Sequence, residues 1–453
     1  MQMNRILAVT ILLVSILLYI FAPCTYSFEY CVWVHIVFIF SAITVLVIDS
    51  HNEKVGFNLL FSLSFFFTNF VYPIYIYPVD PYYSLFRFPF NENVITKCTA
   101  LAQVAYSAYL CGYLWYLRKI ATKVRRINVS QSSDSRYINR MTIIVLIYFV
   151  LFVLAGGLEY FEDRYLRGDM STNMLVQYIM LFFPTVIIFF SSQILLCKND
   201  KQVKCIYIVL SIIAIILLSS GTRTFPLLIF STLFVIYCMR NKVSPAFVLL
   251  CVIVGVLSMS FIGEVRNGNL MGNANTILES SEFGVLGYFS DLFVNNRNLY
   301  VFYDFVEQES YTYGLTMVSG ILSPIPFAQK LFVEITGIPY HFLGSADLST
   351  FLEFGNQPPL GLGTNIVGDV YLAFGIIGVF ILFSLLGRFV VFVREKMKNG
   401  SYMYAIVYLA IASDAIYLCR ASYLDPLKIV VWTLLLAQGV RYIHSRNRNN
   451  CTL

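Results

Sequence analysis

The stretch MLVQYIMLFFPTVIIFFSSQILL, residues 174–196, carries no charged side chain from end to end. Wound as a helix at about 1.5 Å per residue it reaches about 34 Å, enough to cross the roughly 30 Å hydrocarbon core of a bilayer. Similar runs recur on both sides of it. Helices are predicted at about 6–22, 30–48, 55–77, 94–117, 138–157, 174–196, 203–220, 224–239, 244–262, 365–387, 401–419 and 424–442. The whole chain of 453 residues is 58% hydrophobic and 12% charged, with a mean hydropathy of +0.73. Soluble domains are roughly 45–50% apolar and about 25% charged. No soluble core could hide so much apolar surface, so the predicted fold is an all-α polytopic membrane protein of about twelve transmembrane helices. The first run, Ile6 to Ala22, follows Arg5 in the manner of a signal peptide. It lacks a small-residue cleavage site and more spans follow, so it reads as a retained first helix.

Charge sets the expected sidedness. The net charge of +6 comes from basic residues scattered between apolar runs, a pattern that suits membrane topology and gives no face for nucleic acid. With the N-terminus inside, about 21 of the lysines and arginines fall on inner loops, including every substantial basic cluster. Both termini are then cytoplasmic. The expected organisation is helices 1–9 over residues 1–262, one large extracytoplasmic loop over 263–364, and helices 10–12 with a cytoplasmic tail over 365–453. That loop is rich in acidic, aromatic, proline and glycine positions, which argues for structure and function over a passive connector. Short amphipathic helices are expected near 283–306 and 314–335, lying on the outer interface with Tyr311, Tyr313 and Tyr340. Ten cysteines lie mostly inside apolar runs with no CxxC pair or metal spacing, as small core residues do. Neither a metal nor a cofactor is called for.

The outer-side arginines are the informative group. Arg223 sits in the tight turn SSGTRTFP, Arg266 follows a span in GEVRNG, and Arg420 ends another in YLCRAS. An arginine at the hydrocarbon boundary tends to face a protein-lined cavity or an anionic partner, and the planar guanidinium fork matches phosphate oxygens. The plain alternative for each is snorkelling to lipid headgroups or pairing with a nearby acid. Arg297, within the loop, is closer to that alternative. For proton transfer, His341 is the only histidine of the four expected in the outer loop, in a stretch that also holds Asp347 and Glu353. Asp369 opens the span after the loop and Asp414 lies within the next one, and each could orient an arginine or bind a sugar hydroxyl. No P-loop, Rossmann glycine pattern, HExxH or nucleophile elbow occurs, so ATP and nucleotide sugars are not expected substrates.

Four stretches carry a resemblance: SGTRTFPLLIF at 220–230, EVRNG at 264–268, YTYGLTMVSGILSPIPF at 311–327, and GLGTNIVGDVYLAFGIIGVF at 361–380. With a late arginine, Arg420, they resemble in order and topology the O-antigen and capsule repeat-unit polymerases of the Wzy type, over roughly residues 200–425. The first half is similar only in hydropathy. Asp369 stands where relatives often carry Glu, and Phe327, Ala328 and Gln329 stand where a basic residue often follows the proline-rich region. The resemblance implies a GT-C-like bundle that transfers a growing glycan from undecaprenyl pyrophosphate to a lipid-linked repeat unit on the outer face of the cytoplasmic membrane, without a metal. On that reading Arg223, Arg266 and Arg420 stabilise the leaving pyrophosphate and His341, or else an outer carboxylate, deprotonates the acceptor. Arg297, Glu353, Asp369 and Asp414 contact substrate. Its implied partners are undecaprenyl-pyrophosphate-linked glycans, membrane lipids and a chain-length regulator. An O-antigen ligase and a flippase for lipid-linked oligosaccharides stay open as alternatives.

Overall fold

The computed structural model describes residues 2–50, 56–83, 86, 88–117, 135–162, 173–197, 199–241, 243–244, 247–248, 250–251, 255, 290–358 and 360–450. Among them there is no strand. In chain order come α1 (Gln2–Ile20), α2 (Phe28–Ser50), α3 (Phe57–Val71), α4 (Ile95–Tyr116), α5 (Ser135–Leu154), α6 (Gly157–Glu162), α7 (Met174–Leu196), α8 (Asp200–Ser219) and α9 (Thr224–Arg240). The loop region supplies α10 (Ser290–Phe293), α11 (Asn296–Gln308), α12 (Val318–Leu322), α13 (Ala328–Thr336) and α14 (Ser345–Phe354). The chain closes with α15 (Ile366–Lys398), α16 (Tyr402–Leu418) and α17 (Pro426–Asn450).

Eleven of the predicted helices therefore stand at their expected places, while the one at 244–262 lies largely outside the described residues. Among the described residues, seven helices are long and apolar enough to cross a membrane, and α9 and α16 are shorter apolar helices. Only 22% of the apolar window of α1 and of α5 is buried in protein, against 72% of α3 with its π-helical extension. Side chains such as Leu13, Leu17, Ile143 and Ile147 are exposed, and in a membrane protein lipid is what covers them. The chain is thus an all-α, multi-pass membrane protein.

Contacts divide the chain into two compact units. The first comprises Met1–Thr122, Phe289–Glu395 and Ala415–Lys428. Its centre is α4, on which α1 and α2 pack. Almost every residue of α4 is buried, so it can carry polar groups that an outer helix could not. Gln103 donates to Ser15 Oγ at 3.1 Å and to Ser41 Oγ at 3.3 Å, and Tyr109 donates to Asn58. Glycines then let α4 and α15 meet backbone to backbone, as small residues do between membrane helices. A Cβ on Gly112 would lie 2.0 Å from Ser384 O, and one on Gly387 would lie 2.2 Å from Tyr109 O.

The span predicted at 365–387 runs on to Lys398 and contains a kink. Gly375 has φ 64 and ψ −160, a conformation that a side chain would strain. Thr312 covers the opened helix there, donating from its N–H to Leu372 O at 2.9 Å and from its hydroxyl at 3.2 Å. The amphipathic helix expected over 314–335 is broken. A 3-10 turn (Leu315–Met317) and α12 are separated from α13 by Ser323–Phe327, where Pro324 and Pro326 each remove a backbone donor and Phe327 takes a left-handed φ of 63. The helix expected near 283–306 is present from residue 290 onward as α10 and α11.

The second unit comprises Lys123–Tyr288, Lys396–Asp414 and Ile429–Leu453. Here α8 and α9 form a tight hairpin, which Gly221 permits with φ 84. Polar side chains fasten the remaining helices. Ser231 donates to Ser413 O at 2.8 Å, Gln193 donates to Tyr402 Oη at 2.8 Å, and Arg240 Nη1 donates to Ile194 O at 2.6 Å.

Candidate functional site

Within the first unit, polar side chains from distant parts of the chain meet where α3 ends, α11 begins, the GLGTN segment precedes α15, and the chain turns after α16. Sequence reading singled out Arg297 but passed over Asn295, Asn296 and Asn298, which with it form a run of four polar residues between SDLFV and LYVFYDF. All four are buried. Asn296 donates to Tyr300 Oη at 2.9 Å and to Asn69 O at 3.4 Å. Asn298 donates to Leu362 O at 2.9 Å. Asn365 caps α15, accepting from Val367 N at 2.9 Å and Gly368 N at 3.3 Å, while its amide donates to Asn69 Oδ1 at 2.9 Å. The one signal that could have found this cluster is the density of asparagine in an otherwise apolar chain, because an amide that must be buried needs partners.

Arg297 is spoken for in this cluster. Its Nη2 pairs with Glu353 Oε2 at 2.5 Å and donates to Pro89 O at 3.0 Å, and its Nε donates to Phe88 O at 3.3 Å. Burial lowers the Arg297 pKa, and the adjoining Glu353 carboxylate pushes the other way. Arginine nevertheless stays protonated. The two residues expected to contact substrate thus contact each other and brace the start of α11 against the 88–89 segment.

Arg420 and Asp369 occupy the same cluster by another route. Tyr423 N donates to Asp369 Oδ2 at 2.8 Å, which ties the turn after α16 to the start of α15, and Ile366 N donates to Cys419 O at 3.2 Å. With the Asn295 amide oriented so that both its ends are satisfied, it accepts from Arg420 Nε at 3.2 Å and donates to Leu362 O at 3.2 Å. Asp369 Oδ1, Asn296 Oδ1 and Asn298 Oδ1 are buried acceptors without a hydrogen-bond partner among the described residues. Acceptors of this kind are commonly satisfied by solvent or a bound donor.

His341 lies in a 3-10 turn (Tyr340–Phe342), its ring stacked on Phe351 with centroids 3.6 Å apart and planes 4° from parallel. Burial lowers its pKa and the nearby Asp347 carboxylate opposes that shift, while burial raises the Asp347 pKa. Arg223 is the N-cap residue of α9 in the second unit, and Asp414 is buried in α16, also in the second unit. Arg266 lies outside the described residues. No group of three or more His, Cys, Asp or Glu able to hold a metal occurs among the described residues.

The profile of the family described as O-antigen polysaccharide polymerase Wzy matches residues 3–446. The chain belongs to that family. The match spans both units and extends well beyond the 200–425 stretch to which the motifs pointed. No curated protein and no solved structure matches the chain. Membership in the Wzy family makes this a polymerase of O-antigen biosynthesis, and the polar cluster described above belongs to a Wzy polymerase's membrane bundle.

Proposed function

We propose that the chain transfers a growing glycan from undecaprenyl pyrophosphate to a lipid-linked repeat unit at the outer face of the bacterial cytoplasmic membrane, with both termini cytoplasmic. The observation that carries this reading is a cation, Arg420, held in a buried polar cluster together with unsatisfied oxygen acceptors, in a chain of the Wzy family. Breaking the anomeric bond sends its electron pair to the pyrophosphate, which gains charge, while the acceptor hydroxyl loses a proton as its oxygen bonds to the anomeric carbon. A fixed guanidinium stabilises the first change, and Arg223 and Arg266 are assigned to the same task. Sugar hydroxyls are donors, and Asp369, Asn296 and Asn298 offer acceptors that such donors would satisfy. Arg297 and Glu353 fit a bracing role better than direct contact, while Asp414 remains a candidate for orienting an arginine. A chain-length regulator is a further proposed partner.

The decisive experiment is a chromosomal deletion analysed by gel for the form of the surface glycan. Single repeats capped on their final acceptor are expected. Unextended repeats left uncapped point to a ligase, and repeats trapped on the inner face to a flippase, and either result overturns the proposal.

His341 is assigned as the general base, which fixes the sign of a pH effect. Its lowered pKa keeps the imidazole neutral, and able to accept a proton, to a more acidic pH than an ordinary histidine. Chain extension in membrane preparations should therefore hold through neutral pH and fall only below the usual imidazole range. His341→Ala should lower the plateau by about a hundredfold and remove that acid limb. An unchanged acid limb in the variant would show that another group titrates.

A further inference from the structure

We propose that Asn295 is a positioning residue for Arg420, orienting its guanidinium without adding a charge. This rests on the reading of Arg420 as the group facing the departing pyrophosphate. Asn295 precedes α11 with right-handed helical backbone angles (φ −72, ψ −3), and its side chain makes no bond to the backbone of the first turn. Its amide is spent elsewhere. The oxygen accepts from Arg420 Nε and the nitrogen donates to Leu362 O, each at 3.2 Å. The residue is only 6% exposed, which limits competition from water for these bonds.

The surrounding backbone is built around the amide. Gly363 follows Leu362 with a left-handed φ of 69, and a Cβ there would lie 3.2 Å from the end of the Asn295 amide that, in this orientation, is the nitrogen donating to Leu362 O. Leu362 O accepts from Asn298 Nδ2 at 2.9 Å and from the Asn295 amide nitrogen at 3.2 Å, which commits that end of the Asn295 amide to the carbonyl. The amide can then present only its oxygen to Arg420. A bond at Nε sets the plane of the guanidinium and, with it, the direction of the fork formed by the two terminal nitrogens.

The choice of amide over carboxylate has a chemical reason. Two residues along, Arg297 is held by Glu353, and that carboxylate offsets its charge. Asn295 supplies the same geometric service at Nε while contributing no negative charge. A neutral acceptor at Nε orients the cation without adding a counter-charge of its own.

The test is a double-mutant cycle on chain extension, using membranes from a deletion strain and extracted lipid-linked repeat units as substrate. Asn295→Ala should lower turnover by about tenfold with little change in KM, the size expected for losing a hydrogen bond to a charged group. In an Arg420→Lys background, which has no Nε, the same replacement should cost less than about twofold. Equal losses in both backgrounds would overturn the proposal. Independently of activity, phenylglyoxal labelling of Arg420, followed by mass spectrometry, should become at least about threefold faster in Asn295→Ala, because the freed guanidinium samples more orientations. Unchanged labelling would also overturn it. Asn295→Asp serves if the alanine variant fails to accumulate. It should fold and lose more turnover than KM, and failure of both variants to reach the membrane would mark the amide as a fold determinant and end the proposal. Full activity of Arg420→Ala would instead remove the site reading on which the proposal rests.

Discussion

Arg420→Ala is expected to reduce chain extension by about a hundredfold to a thousandfold while leaving the protein in the membrane. The magnitude is that of removing one fixed donor from a site where charge develops in the transition state. The variant should remain folded because the turn that carries Arg420 is fastened by other bonds. Tyr423 N reaches Asp369, Ile366 N reaches Cys419 O, and Tyr423 Oη donates to Leu382 O at 2.6 Å. Arg420→Lys should recover only part of the activity, since an ammonium supplies charge without the planar fork. The check is the glycan ladder of a complemented deletion strain, normalised to membrane-inserted protein. Normal ladders from alanine variants of Arg420, Arg223 and Arg266 alike would overturn the proposed assignment of these arginines to the pyrophosphate.

Glu353→Ala should destabilise the first unit by about 3–5 kcal/mol, the cost of leaving a buried charge without its counter-ion. The Arg297 side chain is only 5% exposed and that of Glu353 17%, so solvent screens the pair little. Two carbonyls, Phe88 O and Pro89 O, would remain on the guanidinium, and neither can replace a carboxylate. Replacing both partners with apolar residues of similar size, Arg297→Met with Glu353→Leu, should cost less than the single change because no uncompensated charge remains. Thermal unfolding of detergent-solubilised protein measures both. A Glu353→Ala variant that melts with the wild type would mean that the pair contributes nothing to holding α11.

The apolar run at 174–196 announces α7 at its full length, because the requirement to satisfy every backbone group inside a bilayer is local and leaves a helix as the only solution. Local reasoning also located Arg420 at the end of a span and Asp369 at the start of another. The pattern at 314–335 is broken by two prolines that outweigh its amphipathic spacing, and α15 runs past the expected end at 387 to Lys398. Arg394 is in fact buried, with its guanidinium 5.2 Å from the centre of the Tyr113 ring on α4, a contact that hydropathy cannot anticipate.

The sequence alone therefore determined that this chain crosses a membrane many times and, through ordered motifs, to which family it belongs. Only the tertiary structure decided which polar residues share a site. Asn69 and Asn365 meet across 296 residues of chain, Arg297 spends its charge on Glu353, and Arg420 rests on an asparagine whose position in the sequence suggests a helix cap. The physical reason is the range of the forces concerned. Transfer into lipid is summed along a short window, whereas a buried amide or guanidinium is satisfied by whichever group the packing brings within about 3 Å of it.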